Sequence, residues 1–220
     1  MKHNSVVTGI DFKNNVAASC GYDQKLKIWS LNAEEINPEL RIKLEKDVYT
    51  EKYSLSGCFF RHGEIVLGTL RQNYLVVDYE KWKITHIGSS FLNQHSKFQN
   101  IRQSKDKNDL LLFSENKISI VDHRNTYQGS LLAGQTLVDA QFGSSNYVFG
   151  ISNDVVYQWD LRNWKIVESK RDCLGNTKLW TEGDLVGVGN KLGIVRLCNI
   201  SQGLKNFADI ENLVTHVTTL

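Results

Sequence analysis

The sequence is poor in proline, methionine and cysteine. Its 220 residues include one proline, one methionine and four cysteines. The cysteines, Cys20, Cys58, Cys173 and Cys198, are widely spaced and mostly lie in apolar segments, so they do not form the dense framework of a disulfide-stabilised secreted domain. We therefore expect buried free thiols and a reducing compartment.

Long apolar runs and an excess of charge of one sign are also lacking. The 26 Lys and Arg residues nearly balance the 24 Asp and Glu residues, which excludes a polybasic tail or an acidic disordered chain. No apolar run approaches the roughly 18 residues of a membrane helix, and Met1 leads into a strand pattern without a secretory signal. We expect a soluble intracellular protein with no membrane partner.

What the sequence does contain is short segments rich in Val, Ile, Leu, Phe and Tyr, separated by Gly, Asn and Asp. The first three, Val7–Phe12, Val16–Gly21 and Lys25–Ser30, are joined by turn residues at 13–15 and 22–24, and a fourth follows at Leu40–Leu44. Similar groups of segments return four more times along the chain. The pattern predicts an all-β fold built from repeated units.

The ends of the third strands give the repeat length. Trp29, Val77, Val121, Trp159 and Cys198 are in register, separated by 48, 44, 38 and 39 residues, which is close to the roughly 40 to 45 residues of a WD-repeat blade. Alternate residues in these strands share a face that is apolar in every copy except at Gln158. The positions are Leu26/Ile28, Tyr74/Val76, Ile118/Ile120, Val156/Gln158 and Val195/Leu197. Neighbouring blades would cover such faces.

These patterns predict a WD-repeat β-propeller that occupies residues 1–220. Blades are expected at about 6–47, 53–88, 97–134, 136–172 and 175–208, with the first strand of a sixth at about 212–220. Trp29-Ser30 and Trp159-Asp160 resemble the WD dipeptide, whereas Val77-Asp78 and Val121-Asp122 keep its second residue. The predicted structural WD positions are Trp29, Asp78, Asp122, Trp159 and Asp160.

Longer stretches resemble one family of WD-repeat proteins. Val155–Lys165 followed by Leu192–Leu197 is similar to the fourth and fifth blades of the U-three small nucleolar RNA-associated protein 18 family. Ser96–Asn100 lies where that family enters its third blade, and Asn212–Leu220 resembles the opening strand of its sixth. The resemblance implies a truncated seven-bladed ring with five complete blades and the first strand of a sixth. The family's long charged N-terminal extension, which reaches the RNA-processing machinery, has no counterpart in this sequence.

The resemblance implies a non-catalytic scaffold of ribosome biogenesis in the nucleolus. Such a protein would belong to the UTP-B subcomplex of the small-subunit processome and act in pre-18S ribosomal RNA processing and 40S subunit assembly. The implied partners are the other WD-repeat subunits of UTP-B, precursor ribosomal RNA and its guide small nucleolar RNA. No cofactor or small-molecule substrate is implied.

A fold by itself does not fix function, so two alternatives remain. The first is a generic peptide-binding adaptor, such as a ubiquitin-ligase substrate receptor, which would grip an acidic or phosphorylated motif. It needs an arginine cluster on one rim of the channel, where Arg61, Arg71 and Arg102 could converge. The second is a propeller hydrolase, which would need carboxylates facing the channel.

Motifs for catalysis or for metal and nucleotide binding are not apparent. The six histidines are dispersed, and no Cys or His pair has the spacing of a zinc site. The glycine-rich segment Gly187–Gly193 lies between two strands, so it predicts a hairpin and not a dinucleotide fingerprint. Asp23 and Asp154 precede third strands, where Asx turns favour aspartate. We expect no catalytic, cofactor-binding or metal-binding residue.

Exposed cations are the remaining candidates for contact with RNA or partners. Their positions in turns and outer strands would let them meet phosphates in a shape-led, salt-sensitive manner, although solvated loops are the alternative for each of them. The candidates are Arg61, Arg71, Arg102, Lys105, Lys107, Arg162, Lys165, Lys170 and Arg171. The aromatic side chains of Trp29, Tyr74, Tyr157 and Trp159 are expected between blades and not on a base-stacking platform.

Overall fold

The chain folds into short strands because its apolar segments alternate with polar residues and end at turn residues every few positions. A computed structural model describes residues 2–32, 41–50, 53–70, 73–81, 83–89, 100–106, 108–122, 124, 127–143, 146–171, 175–199, 204 and 208–210. Within these ranges the structure contains strands and turns and no helix. The predicted all-β fold is confirmed.

Five sheets, each of four antiparallel strands that follow one another in the sequence, form the blades of a β-propeller. Blade 1 contains β1 (Val7–Lys13), β2 (Val16–Gly21), β3 (Lys25–Asn32) and β4 (Arg41–Tyr49). Blade 2 contains β5 (Leu55–Arg61), β6 (Glu64–Thr69), β7 (Asn73–Asp78) and β8 (Lys83–Ser89). Blade 3 contains β9 (Asn100–Gln103), β10 (Leu110–Ser114), β11 (Lys117–Val121) and β12 (Tyr127–Leu132). Blade 4 contains β13 (Leu137–Phe142), β14 (Tyr147–Ser152), β15 (Val155–Asp160) and β16 (Lys165–Arg171). Blade 5 contains β17 (Asn176–Glu182), β18 (Leu185–Asn190), β19 (Val195–Asn199) and β20 (Ala208–Ile210).

The strands belong to two compact units. The first unit, Met1–Ile101, contains blades 1 and 2 and the first two residues of β9, and the second, Arg102–Leu220, contains the rest of blade 3 with blades 4 and 5. The strand predicted at 212–220 as the start of a sixth blade lies outside the described residues. In the part of the chain that is described, no helix has the length and hydrophobicity of a membrane span.

In the first unit, blades 1 and 2 pack face to face through one apolar core. Blade 1 contributes residues from β2 and β3, and blade 2 contributes residues from β5, β6 and β7. The buried members are Ala18, Cys20, Leu26, Ile28, Leu55, Cys58, Phe60, Ile65, Leu67, Leu75 and Val77. The predicted face of the third strand, Leu26/Ile28, is therefore the face that meets the next blade.

In the second unit, blade 4 is covered on both faces. Tyr157 and Trp159 pack into one core with β10 and β11 of blade 3. Val156, on the opposite face of the same strand, packs with Leu179 and Val188 of blade 5. Both faces of a central blade are apolar because each of them meets a neighbour.

Among the described residues of the second unit, one face of blade 5 is buried against blade 4 and the other is partly open. Val195 and Leu197, the pair predicted to face a next blade, are half-buried, and Trp180 on the same side is 39% exposed. By contrast, Leu179 on the side toward blade 4 is fully buried. The predicted apolar face is thus buried in blades 1 to 4 and partly open in blade 5.

Hydrogen bonds join the innermost strands of successive blades. In the first unit, the Asp11 carboxylate on β1 accepts a 2.7 Å hydrogen bond from the Phe60 backbone N–H on β5. In the second, the Gln141 side-chain amide donates to the Leu179 carbonyl at 2.7 Å, and the Thr181 hydroxyl donates to the Phe142 carbonyl at 2.6 Å. Each bond crosses a blade interface, so it fixes the register of two blades as well as satisfying buried polar groups.

One glycine allows the closest approach between blades 1 and 2. A Cβ built on Gly9 would lie 2.6 Å from the Cys58 backbone nitrogen and 2.8 Å from Gly57 Cα. Because these neighbours are backbone atoms, they cannot rotate away. The absence of a side chain at Gly9 is what lets β1 and β5 come together.

Candidate partner-binding sites

Four side chains of blade 1 form a continuous hydrogen-bonded chain. His3 Nδ1 lies 3.0 Å from both carboxylate oxygens of Asp23, and His3 Nε2 lies 2.8 Å from Ser19 Oγ. The Trp29 indole N–H donates to the same Ser19 oxygen at 2.8 Å. Since a carboxylate only accepts, Nδ1 donates to Asp23, and the Ser19 hydroxyl lies within hydrogen-bond distance of both Nε2 and the Trp29 N–H.

The Asp23 carboxylate is further held by backbone donors. The Asn4 N–H donates to it at 3.0 Å and the Lys25 N–H at 3.3 Å, so the predicted Asx turn at Asp23 is confirmed. Burial raises the pKa of the Asp23 carboxyl, but the hydrogen bonds from Asn4 and His3 outweigh it and hold the pKa below its ordinary value. The carboxylate is therefore ionised where it anchors the N-terminal segment to the turn before β3.

Ser19, His3 and Asp23 have the order of contacts found in a serine–histidine–aspartate triad, but they are arranged for a different role. Ser19 is 5% exposed, and its oxygen accepts a hydrogen bond from Trp29. A nucleophile must reach its substrate, whereas this hydroxyl is enclosed and engaged on both sides. The arrangement stabilises blade 1 and does not present an attacking group.

A second recurring feature is an aspartate at the end of the third strand, or directly after it, that pairs with a cation in the next turn. Asp78 pairs with Lys81 at 3.2 Å, Asp122 with Arg124 at 3.0 Å and Asp160 with Arg162 at 2.6 Å. Each aspartate also accepts the backbone N–H of that cation. We call Lys81, Arg124 and Arg162 the turn cations. The predicted WD positions Asp78, Asp122 and Asp160 thus each hold a turn and orient one positive charge.

The turn cations remain largely in solvent. Their side chains are 74%, 71% and 63% exposed for Lys81, Arg124 and Arg162 respectively. The hydrogen bonds and charge of Asp160 raise the pKa of Arg162, and those of Arg162 lower the pKa of Asp160. Each turn therefore presents a largely exposed basic side chain, which suits an anionic partner.

The predicted contact residues fall into three groups. Lys105, Arg162, Lys165 and Arg171 are exposed, and Lys170 is half-buried. Arg71 and Lys107 lie outside the described residues. Arg61 and Arg102 differ from the prediction, as the next paragraph describes.

Arg61 was predicted among the exposed cations, and this prediction is wrong. The residue is 1% exposed at the end of β5, where its guanidinium lies 3.4 Å from the Glu64 carboxylate. Arg102 is mostly buried and donates at 3.1 Å to Asp139, which is itself 3% exposed. Both arginines support blade structure. Sequence reasoning treated charge as exposure and so missed that each arginine has an acidic partner in the fold.

Two of the exposed candidate residues, Lys105 and Arg171, form ion pairs at the surface. Lys105, in the turn between β9 and β10, lies 2.5 Å from Glu182 at the end of β17. Arg171, at the end of β16, lies 3.1 Å from Asp154, the residue predicted to form an Asx turn before β15. Exposed pairs of this kind are weak, so an anion could displace either carboxylate.

A cavity of about 380 Å³ opens at one end of the second unit. It lies among the turns that follow the first strands of blades 3, 4 and 5, with Leu161 after β15 completing the wall. The lining residues are Ser104, Lys105, Asp106, Asp109, Phe142, Gly143, Leu161 and Gly183. The Ser104 hydroxyl donates to Asp106 at 2.6 Å, and this bond lowers the pKa of the Asp106 carboxyl. The lining combines the apolar side chains of Phe142 and Leu161 with the carboxylates of Asp106 and Asp109.

Among the described residues, no group of three or more His, Cys, Asp or Glu side chains is placed to hold a metal ion. The cysteines Cys20, Cys58 and Cys198 are free and buried, as the sequence predicted. Cys173 lies outside the described residues.

The class of protein that these features define is the β-propeller, a fold that generally serves as a scaffold or adaptor. Its blades are stabilised by buried polar networks, and its turns carry oriented cations and a cavity. No protein-family model matches the chain, and a search of curated proteins finds no significant match.

Proposed function

We propose that the chain is a non-catalytic scaffold of ribosome biogenesis that acts in the nucleolus as a component of the UTP-B subcomplex of the small-subunit processome. Its role there is in pre-18S ribosomal RNA processing and 40S subunit assembly. The proposal starts from the family resemblance of Val155–Lys165 and Leu192–Leu197. These segments form β15 with its following turn, and the turn before β19 with most of that strand.

The observation that carries the proposal is the set of turn cations. Lys81, Arg124 and Arg162 are each oriented by an aspartate at the end of a third strand. A fixed, exposed guanidinium or ammonium reads the charge and spacing of phosphates and not the bases, as expected for contact with structured RNA. The buried bonds between blades supply a rigid support, which a scaffold requires.

An RNA-binding measurement tests the phosphate contacts. Binding of the full chain to a structured fragment of precursor ribosomal RNA is followed over a series of salt concentrations. We expect the logarithm of the association constant to fall linearly with the logarithm of salt, and the double variant Arg124→Ala, Arg162→Ala to reduce the slope by about one unit per side chain. The matched control Arg124→Lys, Arg162→Lys retains the charges and most of the slope. An unchanged slope in the alanine variant contradicts a role for these arginines.

The wider function is tested by purification of the tagged chain from cells under native conditions. The expected result is recovery of the guide small nucleolar RNA together with other WD-repeat subunits. Recovery of the subunits without RNA restricts the role to protein contacts, whereas recovery of neither overturns the proposal.

The cavity of the second unit favours a second candidate, a peptide-binding adaptor. An adaptor for an acidic motif would need an arginine cluster, but Arg61 is buried and Arg102 is held by Asp139. The carboxylates of Asp106 and Asp109 line the cavity instead, so its ligand would be a peptide with a Lys or Arg side chain. A peptide array against the chain, with Asp106→Asn as the control, tests this: basic peptides should bind the parent and bind the variant less tightly.

A further inference from the structure

Trp164 lies where the outer strands of blades 3 and 4 meet. It is the last residue of the turn between β15 and β16, and its half-buried side chain packs against the core that the two blades share. A Cβ built on Gly129 of β12 would lie 2.6 to 2.7 Å from three carbons of the indole, Cζ3, Cε3 and Cη2. The ring therefore rests directly on the backbone of the neighbouring blade, and part of its surface remains accessible.

The backbone of Trp164 is strained. Its φ is 58°, a left-handed conformation that is uncommon for a bulky residue and that glycine adopts without cost. A glycine would relieve the strain but would remove the ring. Because strain of this kind concentrates at binding sites and other functional positions, it indicates a role for the accessible part of the indole.

Two positive side chains flank the indole in the same segment of chain. Arg162 is held by Asp160 through its backbone N–H and its guanidinium, and it is 63% exposed. Lys165 is exposed, and its backbone N–H donates to the Asn163 side chain at 3.1 Å. The ring and both cations thus lie on one short segment whose conformation is fixed by its own hydrogen bonds.

The turn cation of blade 3 is connected to the strand on which the ring rests. Gln128, the residue before Gly129, donates to the Asp122 carboxylate at 3.2 Å. The same carboxylate oxygen accepts two hydrogen bonds from the Arg124 guanidinium. Trp164 is therefore linked to turn cations of two adjacent blades, to one through its own turn and to the other through β12.

An aromatic surface among cations is a combination with which proteins bind unpaired nucleotides, because the ring stacks on a base while the cations contact phosphates. We propose that Trp164 is a stacking platform for an unpaired base of the RNA whose phosphates the turn cations contact. This inference rests on the function proposed above and adds to it a bulged or single-stranded segment as the bound part of the RNA. Since every base has an aromatic face, the contact tolerates any sequence.

Other aromatic side chains of the protein lack this combination. Tyr74, Tyr157 and Trp159 are at most 5% exposed, so they cannot stack on a base. Trp180 is 39% exposed, but it lies on β17 over Gly187 and not in a segment that carries a turn cation. Trp180 is therefore the matched control for an accessible indole.

The experiment measures binding of the full chain to an RNA hairpin with a bulged adenosine and to the same hairpin with an abasic nucleotide in the bulge, which retains the phosphates. We expect the parent to bind the abasic hairpin about tenfold more weakly, because one base–aromatic stack is lost. Trp164→Leu, which keeps an apolar side chain beside Gly129 without an aromatic face, should bind both hairpins equally. Trp164→Phe should restore much of the preference for the bulged base, and Trp180→Leu should retain all of it.

Salt dependence separates stacking from the phosphate contacts. Stacking releases no counterions, so Trp164→Leu should retain the slope of the association constant against salt that the parent shows, whereas the double variant Arg124→Ala, Arg162→Ala reduces it. A parent that binds both hairpins equally, with the slope still reduced in the arginine variant, overturns the stacking platform and leaves the phosphate contacts supported. A parent that binds neither hairpin overturns both proposals.

Two further results concern Trp164 itself. A preference for the bulged base that persists in Trp164→Leu means that another group stacks on the base, and it overturns the assignment. If Trp164→Leu does not fold, the parent is tested with a photoreactive uridine in the bulge. We expect the cross-linked peptide, mapped by mass spectrometry, to contain Trp164, and a cross-link confined to other peptides contradicts the proposal.

Discussion

The Asp139 carboxylate on β13 accepts a 3.3 Å hydrogen bond from the backbone N–H of Leu179 on β17. It also receives the Arg102 guanidinium at 3.1 Å, so one buried side chain connects blades 3, 4 and 5 of the second unit. The Ala140 backbone N–H also donates to this carboxylate at 3.0 Å, and the three donors together compensate for the loss of water at 3% exposure.

Replacement of this carboxylate should destabilise the second unit. Asp139→Ala leaves a mostly buried guanidinium and a buried N–H without their acceptor, and we expect a loss of about 2 to 3 kcal/mol in the free energy of unfolding. Urea denaturation measures it. Glu182→Ala, which removes the exposed partner of Lys105, is the control and should cost less than about 1 kcal/mol. Equal losses in the two variants would show that Asp139 does not join the blades.

The hydrogen-bonded chain of blade 1 should make stability depend on pH through Asp23. Its pKa is lowered in the folded protein, from an ordinary value of 3.8. The contribution is therefore complete above pH 3.8 and is lost as the pH falls through the lower folded value. Urea unfolding of the parent and of Asp23→Asn is compared from about pH 6 to pH 3. We expect the parent to lose its advantage over the variant at the acid end, and a constant difference at every pH would contradict this.

The close approach at Gly9 predicts a strong steric effect. Gly9→Ala places a Cβ against the backbone of Gly57 and Cys58, which should destabilise the first unit by about 1 to 3 kcal/mol. The matched control is Gly63→Ala in the turn between β5 and β6, where a Cβ meets nothing within 4 Å. Thermal unfolding distinguishes them. A tolerated Gly9→Ala would mean that β1 and β5 are further apart in solution.

We expect truncation of the Trp159 indole to cause the largest loss in the free energy of unfolding. Trp159 is 1% exposed, and its ring stacks on the Tyr157 ring with 5.3 Å between the two centroids. Its indole N–H donates to the Leu132 carbonyl at 3.3 Å. Trp159→Ala should cost about 3 to 5 kcal/mol. Trp180→Ala, at the partly open face of blade 5, removes the same ring and should cost clearly less. Chemical denaturation of both variants measures the difference, and a larger loss at Trp180 would reverse our assignment of the covered face.

The sequence predicted the strands and the covered faces well, for a physical reason. Alternation along Lys25–Ser30 and Val155–Asp160 is a local signal, because successive strand residues point to opposite faces. Turn residues such as Asn14, which has a positive φ of 54°, mark the chain reversals locally as well. Strand bounds could therefore be predicted to within a few residues from neighbouring positions alone.

The polar networks could not be predicted in the same way. His3 lies outside any strand and is 16, 20 and 26 residues from Ser19, Asp23 and Trp29, so no local pattern joins them. The burial of Arg61 depends on how blade 2 packs, and that is a tertiary property. Among the sites, the turn cation Arg162 was predicted, whereas Lys81 and Arg124 were not, although each follows a strand-ending aspartate by two or three residues.

The half-covered face of blade 5 has a kinetic consequence. A sheet with a partly open face needs to break fewer contacts to separate than a sheet covered on both faces, so it frays first in a stacked array. Backbone amides of β18 should accordingly exchange hydrogen for deuterium through partial opening, before those of β14 in blade 4. The order of exchange would thus record how completely the faces of each sheet are covered, and a partner that docks beside Trp180 would slow exchange in β18.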